Sequence, residues 1–368
     1  MSDSYGRKWF MVLAAVGSAF PVAFLVFFQD NLWYYLISKM CAGLMFSTNG
    51  GAGAIGIFCA YISDILAKED RILGFASILG LAGLGVGVMP TITCHLYPNT
   101  ITLTQLYWAA MSCSCFAVVY SIFLPEFRKE NRPPFRCKDV CTLHVRSSAT
   151  ITSTNFVTSD KEVLSSIGQR QSFCQRNKLI ITLCLVRFLS ALPETGVIES
   201  ALFYLQAKLH FTECQNATLF LSAGASLMVN QLVVIHFLKR YFSPNGILYI
   251  GLVSNLVHMF GYAVATSAGF MYVVEVFAGI SFFAGAALLS VLSTSVPQSQ
   301  QGVALGAMAS VTGICSVIGP VLFTQLYNYF LKYNFPQFPF YVGAVMVGLA
   351  AVISLLFMPG DSCFKKKF

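Results

Sequence analysis

Long apolar segments recur along the whole chain and constrain its fold more than any other feature. A helix needs roughly 20 apolar residues to cross a bilayer, and ten segments of at least about that length can be marked. They cover residues 9–28, 32–63, 72–93, 103–124, 179–205, 217–238, 246–266, 270–294, 303–327 and 339–358. Their residues are continuously apolar instead of alternating, which argues against a transmembrane β-barrel. We therefore predict an all-α membrane protein with ten transmembrane helices.

The charged residues are few, and most of the basic ones lie on one side of the predicted membrane. Only 10% of the 368 residues are charged, against about 25% in a soluble domain, so water-soluble enzymes and disordered proteins are excluded. When the loops are assigned alternately to two sides, 19 of the 23 Lys and Arg residues fall on one side. The positive-inside rule makes that side cytoplasmic, both termini included. The net charge of +8 therefore sets orientation, and we predict no nucleic-acid partner.

The loop 125–178 divides the chain into two halves. It is rich in Ser and Thr, basic and poor in apolar periodicity, as is typical of a flexible cytoplasmic linker. Residues 1–124 then form an N-terminal half with four spans. Residues 179–368 form a C-terminal half with six spans and a short basic tail. The tail lysines resemble a di-lysine retrieval signal or anchor the helix end, so the endoplasmic reticulum, the Golgi and the plasma membrane all remain open.

Motifs of enzyme chemistry are missing from the sequence. It contains no HExxH, GxSxG or zinc-ligand spacing and no phosphate-binding G-x-x-x-x-G-K-[ST] loop. The twelve cysteines are scattered, and most lie in apolar stretches, so we interpret them as small hydrophobic residues. We predict neither an enzyme nor a metal or cofactor site.

The segment 179–205 holds the charged residues that are hardest to explain as packing. Pro193 removes a backbone donor and weakens the helix next to Glu194. A charge inside a bilayer costs about 3 kcal/mol or more, so Glu194 must be paired, protonated or hydrated. Arg187 is its nearest partner in the sequence, seven residues earlier. We predict that Glu194 contacts substrate or a coupling proton, with a helix-packing acid as the alternative; Glu199 is a rim acid or a second coupling site.

Other polar residues within the spans are more ambiguous. Lys39 either extends to the membrane surface or lines a cavity, and Asn49 is a polar packing or cavity group. Glu275, near the outer face, is interpreted as a solvated rim acid, with a coupling site as the alternative. His258 is interpreted as a hydrogen-bonded packing histidine.

A spacing is repeated in the two halves. The separation in sequence from Arg71 to Pro90 equals the separation from Gln301 to Pro320. Both stretches leave a short cytoplasmic loop and enter a span rich in small residues. Repeated halves around a central site are typical of secondary transporters.

Several motifs connect the chain to a known family. Residues 3–8 (DSYGRK) resemble the D-x-x-G-R-K loop between helices two and three of major facilitator superfamily transporters. Residues 60–71, 192–194 and 300–320 are similar to the hippocampus-abundant-transcript branch, relatives of bacterial tetracycline antiporters. The resemblance implies the major facilitator fold, with the ten spans equivalent to helices three to twelve of twelve. It also implies alternating-access transport of a small organic solute by a monomer, with proton coupling open.

The resemblance also assigns residue roles. It implies a cytoplasmic gate in which Arg7 pairs with Asp64, while Asp3 faces the start of the helix that begins near Gln301. The gate residues are Asp3, Gly6, Arg7, Asp64 and Arg71. The residues of the implied helix-packing motif are Gly85, Pro90, Gly319 and Pro320.

The chain departs from the family pattern at its start, because the first two helices have no counterpart. We expect either a truncated form of a transporter or a degenerate transporter that acts as a non-transporting membrane scaffold. A channel is a less favoured third hypothesis, because repeated halves are features of carriers.

Overall fold

Helices make up every regular element in the part of the chain that the computed structural model describes. The described residues are 8–28, 32–44, 52–96, 101–125, 160–297 and 300–357. The N-terminal half contains α1 (Lys8–Phe27), α2 (Leu32–Leu44), α3 (Ala52–Ile65), α4 (Arg71–Leu96) and α5 (Leu103–Phe123). The C-terminal half contains α6 (Asp160–Leu209), α7 (Glu213–Val229), a π-helix (Asn230–Val234), α8 (Ile235–Tyr241), α9 (Pro244–Val264), α10 (Ala268–Ser281), α11 (Phe283–Ser295), α12 (Gln301–Leu331) and α13 (Phe338–Phe357).

Nine helical segments of the described chain are long and apolar enough to cross a membrane. They coincide with nine of the ten predicted spans, which confirms the all-α membrane class. The remaining prediction, one span over 32–63, is not confirmed, because α2 and α3 are each too short to cross a bilayer alone. Residues 45–51 between these two helices lie outside the described residues.

The predicted linker 125–178 requires a correction at its C-terminal end. Helix α6 begins at Asp160 and continues through the apolar span without a break. Residues 160–177 include Lys, Glu, Gln, Arg and Leu, which are good helix formers. Low hydrophobicity therefore did not mean irregular structure in this stretch. Residues 126–159 of the linker lie outside the described residues.

The two halves meet where α4 packs on α7 and where α3 packs on α12. Glycines bring α4 and α7 into backbone contact: a Cβ atom added to Gly224 would lie 2.3 Å from the carbonyl oxygen of Gly83. A Cβ atom added to Gly87 would lie 3.0 Å from the carbonyl oxygen of Phe220. Small residues at helix interfaces allow this close approach.

Gly85, predicted as part of the packing motif, faces away from this contact. A Cβ atom added there would meet nothing within 4 Å. A helix turns by about 100° per residue, so Gly83 and Gly87 share one side of α4 and Gly85 lies on the other. Pro90 lies inside α4 and is half-buried.

Helices α6 and α12 pack closely within the C-terminal half. A Cβ atom added to Gly319 would lie 2.8 Å from the carbonyl oxygen of Leu192, and Pro320 follows inside α12. The Thr195 hydroxyl donates to the carbonyl oxygen of Cys315 at 2.9 Å. This contact fixes the helix that carries Arg187 and Glu194 against α12.

Candidate functional site

A cavity of about 300 Å³ lies between α4 of the N-terminal half and α6, α7, α9 and α10 of the C-terminal half. Its volume is at the lower end of the range of small-molecule sites. Most of the wall is aliphatic or aromatic, including Leu79, Leu205, Leu219, Phe220 and Phe282. Its ionisable and amide side chains are Glu194, Asn216, Asn255, His258, Tyr262 and Glu275.

Glu194 and Arg187 form an ion pair beside this cavity, two turns apart on α6. Arg187 Nη1 lies 3.3 Å from Glu194 Oε2, and both side chains are about four-fifths buried. Arg187 Nε also donates to Thr312 Oγ1 of α12 at 3.0 Å. The structure therefore contains the pairing that the seven-residue spacing predicted, and α12 holds the guanidinium in place.

Glu275 is buried in the cavity wall, which corrects its interpretation as a solvated acid. It lies two turns into α10 and is 5% exposed. The Tyr262 hydroxyl of α9 donates to Glu275 Oε1. The interpretation from the sequence used only the position of Glu275 near the outer end of its span. The sequence does not show that this side of α10 faces α9.

His258 belongs to the same cluster, which corrects its interpretation as a hydrogen-bonded packing residue. It lies four residues before Tyr262, so both project from one side of α9. His258 Nε2 is 3.8 Å from Glu275 Oε1 and is buried without a hydrogen-bond partner among the described residues. Oδ1 of Asn216, another buried cavity residue, is also unpaired within the described part of the chain. Buried polar atoms are nearly always paired, so these two atoms leave unused hydrogen-bonding capacity in the cavity wall.

The halves are also connected at the end where the short loops are basic, which we call the basic end. Arg71 is buried and donates from Nη1 to the carbonyl oxygen of Ser293 at 2.9 Å and from Nη2 to that of Ser63 at 2.8 Å. Gln301 donates from Nε2 to the same Ser293 oxygen at 2.8 Å. Asp64, at the end of α3, interacts electrostatically with Arg71. Arg71 therefore contacts both halves at the place predicted for the gate.

An exposed ion pair lies next to this contact. Lys239 Nζ is 2.6 Å from Asp70 Oδ1. The hydrogen bond from Lys239, and then its charge, lower the pKa of Asp70 from its ordinary value of 3.8. This pair also joins the halves, since Asp70 precedes α4 and Lys239 lies in α8.

At the opposite end of α4, a disulfide bond joins the halves. Cys94 near the end of α4 is bonded to Cys214 at the start of α7. Nearby, the Thr91 hydroxyl donates to the carbonyl oxygen of Ala217 at 3.0 Å. The interpretation of all cysteines as small hydrophobic residues is therefore wrong for this pair. In the sequence, each of the two cysteines lies at the end of a predicted span, and both ends are on the same predicted side of the membrane. This common position was the signal that they could pair. We call this the disulfide end.

The other predicted site residues are only partly reached by the structure. Asp3, Gly6, Arg7 and Asn49 lie outside the described residues. The helix positions of Lys39 in α2 and Glu199 in α6 are described, but their side chains are not. The pairing of Arg7 with Asp64 and the contact of Asp3 near Gln301 therefore remain predictions.

A second concavity, a surface groove of about 640 Å³, lies between the ends of α6 and α12. Its described lining includes Phe203, Gln206 and Tyr327 but no charged side chain. The smaller cavity is lined by Glu194 of the ion pair and by the buried acid Glu275, and we therefore take it as the candidate site.

The chain resembles known proteins over most of its length. It is 21% identical over 334 residues to mouse "Hippocampus abundant transcript 1 protein", covering 90% of this chain and 62% of that protein. It is 23% identical over 357 residues to "Tetracycline resistance protein, class D" of Salmonella ordonez, covering 96% of this chain and 81% of that protein. The chain thus spans about three fifths of the length of the hippocampus abundant transcript relative.

A solved structure shares the fold. The human organic anion transporter MFSD10 (TETRAN) superposes with a TM-score of 0.73 at 19% identity, covering 96% of this chain and 78% of that one. The family model of the Major Facilitator Superfamily matches residues 1–320. With its helical architecture and its internal cavity between two halves, the chain belongs to the major facilitator superfamily.

Proposed function

We propose that the protein is a secondary active transporter of a small organic solute, which binds in the cavity beside Arg187 and Glu194. The observation that carries this proposal is an ion pair at a cavity wall, between two halves joined at both ends of the cavity. A mainly apolar wall that includes the carboxylates of Glu194 and Glu275, with the Arg187 guanidinium paired to Glu194, fits an amphiphilic molecule with a charged group. Names of the similar proteins, a tetracycline resistance protein and an organic anion transporter, support the same solute class.

Alternating access requires contacts that close one end of the cavity and separate in the other state. At the basic end those contacts are Arg71 with Ser293 and Asp70 with Lys239. At the disulfide end the contact that can separate is the hydrogen bond from Thr91, while the neighbouring Cys94–Cys214 bond keeps α4 and α7 joined. We propose that solute binding shifts the balance between opening at the two ends, in a single chain acting as a monomer.

We further propose that the basic end and both termini face the cytoplasm. The short basic loops support this orientation, and so does the disulfide. Disulfides persist in oxidising compartments such as the extracellular space and the lumen of the endoplasmic reticulum. Both cysteines lie at the end that the loop charges place away from the cytoplasm.

Uptake into proteoliposomes tests the transport site. A panel of radiolabelled amphiphilic organic anions and cations is presented to the reconstituted full chain, and Glu194→Gln and Arg187→Gln are compared with the wild type on any solute that accumulates. We expect each substitution to lower uptake at least about tenfold, because one change leaves the other charge buried and unpaired.

Gln206→Ala is the matched control, because Gln206 lines the surface groove and not the cavity. It should retain wild-type uptake. If Glu194→Gln retained wild-type uptake and Gln206→Ala lost it, the solute would bind in the groove and not in the cavity. An absence of accumulation across the panel would reject the proposed function for these solutes.

A further inference from the structure

We propose that His258 and Glu275 form a proton-binding site in the cavity wall, at which His258 Nε2 takes up one exchangeable proton. The proposal deepens the proposed function, because it names the proton as the coupling ion of the same cavity. The structural basis is the cluster of His258, Tyr262 and Glu275 at the α9–α10 contact.

The geometry suits a proton that is held and released. Tyr262 donates a hydrogen bond to Glu275 Oε1 and thereby stabilises the ionised carboxylate. His258 Nε2 is 3.8 Å from the same oxygen, too far for a direct hydrogen bond but close enough for strong attraction once the imidazole is charged. Nε2 has no hydrogen-bond partner among the described residues, so its lone pair is available to a proton.

The charges around the cavity indicate how many protons the cluster takes. Glu194 is neutralised by Arg187, and the described lining from α4 and α7 is uncharged, contributed by residues such as Leu79, Asn216 and Phe220. Glu275 is therefore the cavity carboxylate without a permanently charged partner. Among the described residues near it, His258 is the side chain that can become a cation. With neutral imidazole the pair carries one negative charge, and one added proton makes it neutral overall. A low-dielectric wall favours the neutral pair.

The proton transfer itself is simple. The step requires the neutral imidazole tautomer with its proton on Nδ1, so that Nε2 accepts a proton from a water molecule or hydronium ion that enters the cavity. Imidazole is the ordinary side chain that changes charge between about pH 5 and pH 8. Release returns the proton from Nε2 to water at the other end of the cavity. Loading changes the charge that the wall presents to the solute, which couples the two binding events.

Nuclear magnetic resonance of the purified full chain tests the site without any solute. The chain has five histidines, whose ¹³Cε1 atoms are labelled, and the resonance lost in His258→Gln is assigned to His258. We expect this resonance to move between about pH 5 and pH 8 in the wild type. In Glu275→Gln it should stay at the neutral-imidazole position over that range, because the buried cation has lost its counter-charge.

Two controls keep the result interpretable. Glu275→Asp retains the charge and should restore the pH-dependent movement, and the resonance of exposed His210 should behave alike in every variant. A His258 resonance that does not move in the wild type, or that moves identically in Glu275→Gln, would overturn the proton site.

Transport supplies the second measurement. On any solute that accumulates, stimulation of wild-type uptake by an imposed pH gradient should be lost in Glu275→Gln. The two proposals therefore fail separately. A titrating His258 without solute uptake leaves the proton site standing, whereas uptake with a silent His258 removes the proton site alone.

Discussion

The carbonyl oxygen of Ser293 accepts hydrogen bonds from two residues that occupy equivalent positions in the two halves of the chain. Arg71 and Gln301 each precede a helix proline by the same number of positions, and both donate to this oxygen. The repeated spacing in the sequence therefore corresponds to a shared contact at the basic end. Both donors are buried, but only the hydrogen bond from Arg71 crosses between the halves, so separating them there requires water to replace this buried bond.

The neighbouring Asp70–Lys239 pair makes the contact between the halves dependent on pH. Lys239 lowers the pKa of Asp70. The ionised carboxylate therefore stabilises the folded protein at pH values above the ordinary Asp pKa of 3.8. That stabilisation is lost as the pH falls through the lowered pKa. We expect Asp70→Asn to lower the unfolding temperature in detergent slightly at about pH 7, and the difference from the wild type to disappear as the pH falls through the lowered pKa of Asp70.

Salt provides a second check on this pair, because solvent and ions screen exposed charges. The difference between wild type and Asp70→Asn should shrink as salt rises to about 1 M. Glu69→Gln removes the same charge from the adjacent exposed residue, which forms no described ion pair, and should show a smaller effect. An equal effect of both substitutions would mean that overall charge, and not the Lys239 contact, is responsible.

Contacts between charged or polar side chains could be predicted from the sequence only where both side chains belong to one helix. Arg187 and Glu194 are two turns apart on α6, so their pairing follows from helix geometry. The cluster of His258, Tyr262 and Glu275 requires the rotation of α10 against α9, which no local pattern contains. The same holds for the contact of Arg71 with Ser293, residues that are 222 positions apart.

At the scale of helices, the α4–α7 contact connects the two halves more closely than side-chain packing would allow. The family resemblance implied a helix-packing motif in α4 that includes Gly85, but the glycines that make this contact are Gly83 and Gly87. The helix after α7 widens into the π-helix Asn230–Val234. Gln231 lies within it, buried with both amide atoms unpaired among the described residues. No local pattern in the sequence indicates this π-helix, because π-helices have no simple sequence signature.

Substitutions at two glycines test this contact. We expect Gly224→Ala to destabilise the protein by about 1–3 kcal/mol, as overpacking does, because the new methyl group would collide with the backbone of α4. Gly85→Ala is the matched control and should be neutral or stabilising by up to roughly 1 kcal/mol, because alanine is the better helix former. Unfolding of both variants in mixed micelles of increasing SDS content measures the difference. Equal stability of the two would contradict the backbone contact.

At the scale of the whole molecule, the order of spans was predictable because hydropathy is a local property, whereas the connection between the halves was not. Cys94 and Cys214 are 120 residues apart, and each stands in an ordinary apolar or polar context. Only their common position at the disulfide end indicates a pairing. The pairing follows from the packing of α4 against α7, which brings the two cysteines together.

Proteolysis of the linker tests this covalent connection. A specific protease site inserted between residues 126 and 159 is cleaved in the protein purified with a thiol-blocking reagent. We expect the two fragments to migrate together on a denaturing gel without reductant and separately after reduction. Cys94→Ser should give separate fragments under both conditions. Separate fragments from the unreduced wild type would show that the bond does not form.

The disulfide has a mechanical consequence for the transport cycle. With the bond intact, the two halves are joined at one end by sulfur and, through the linker, by the polypeptide itself, so the chain forms a closed ring. Such a ring can pivot about the Cys94–Cys214 bond, but it cannot part there. The alternating access proposed above would then be a rocking of the two halves about this fixed point, in which the disulfide end opens by rotation and not by separation of α4 from α7.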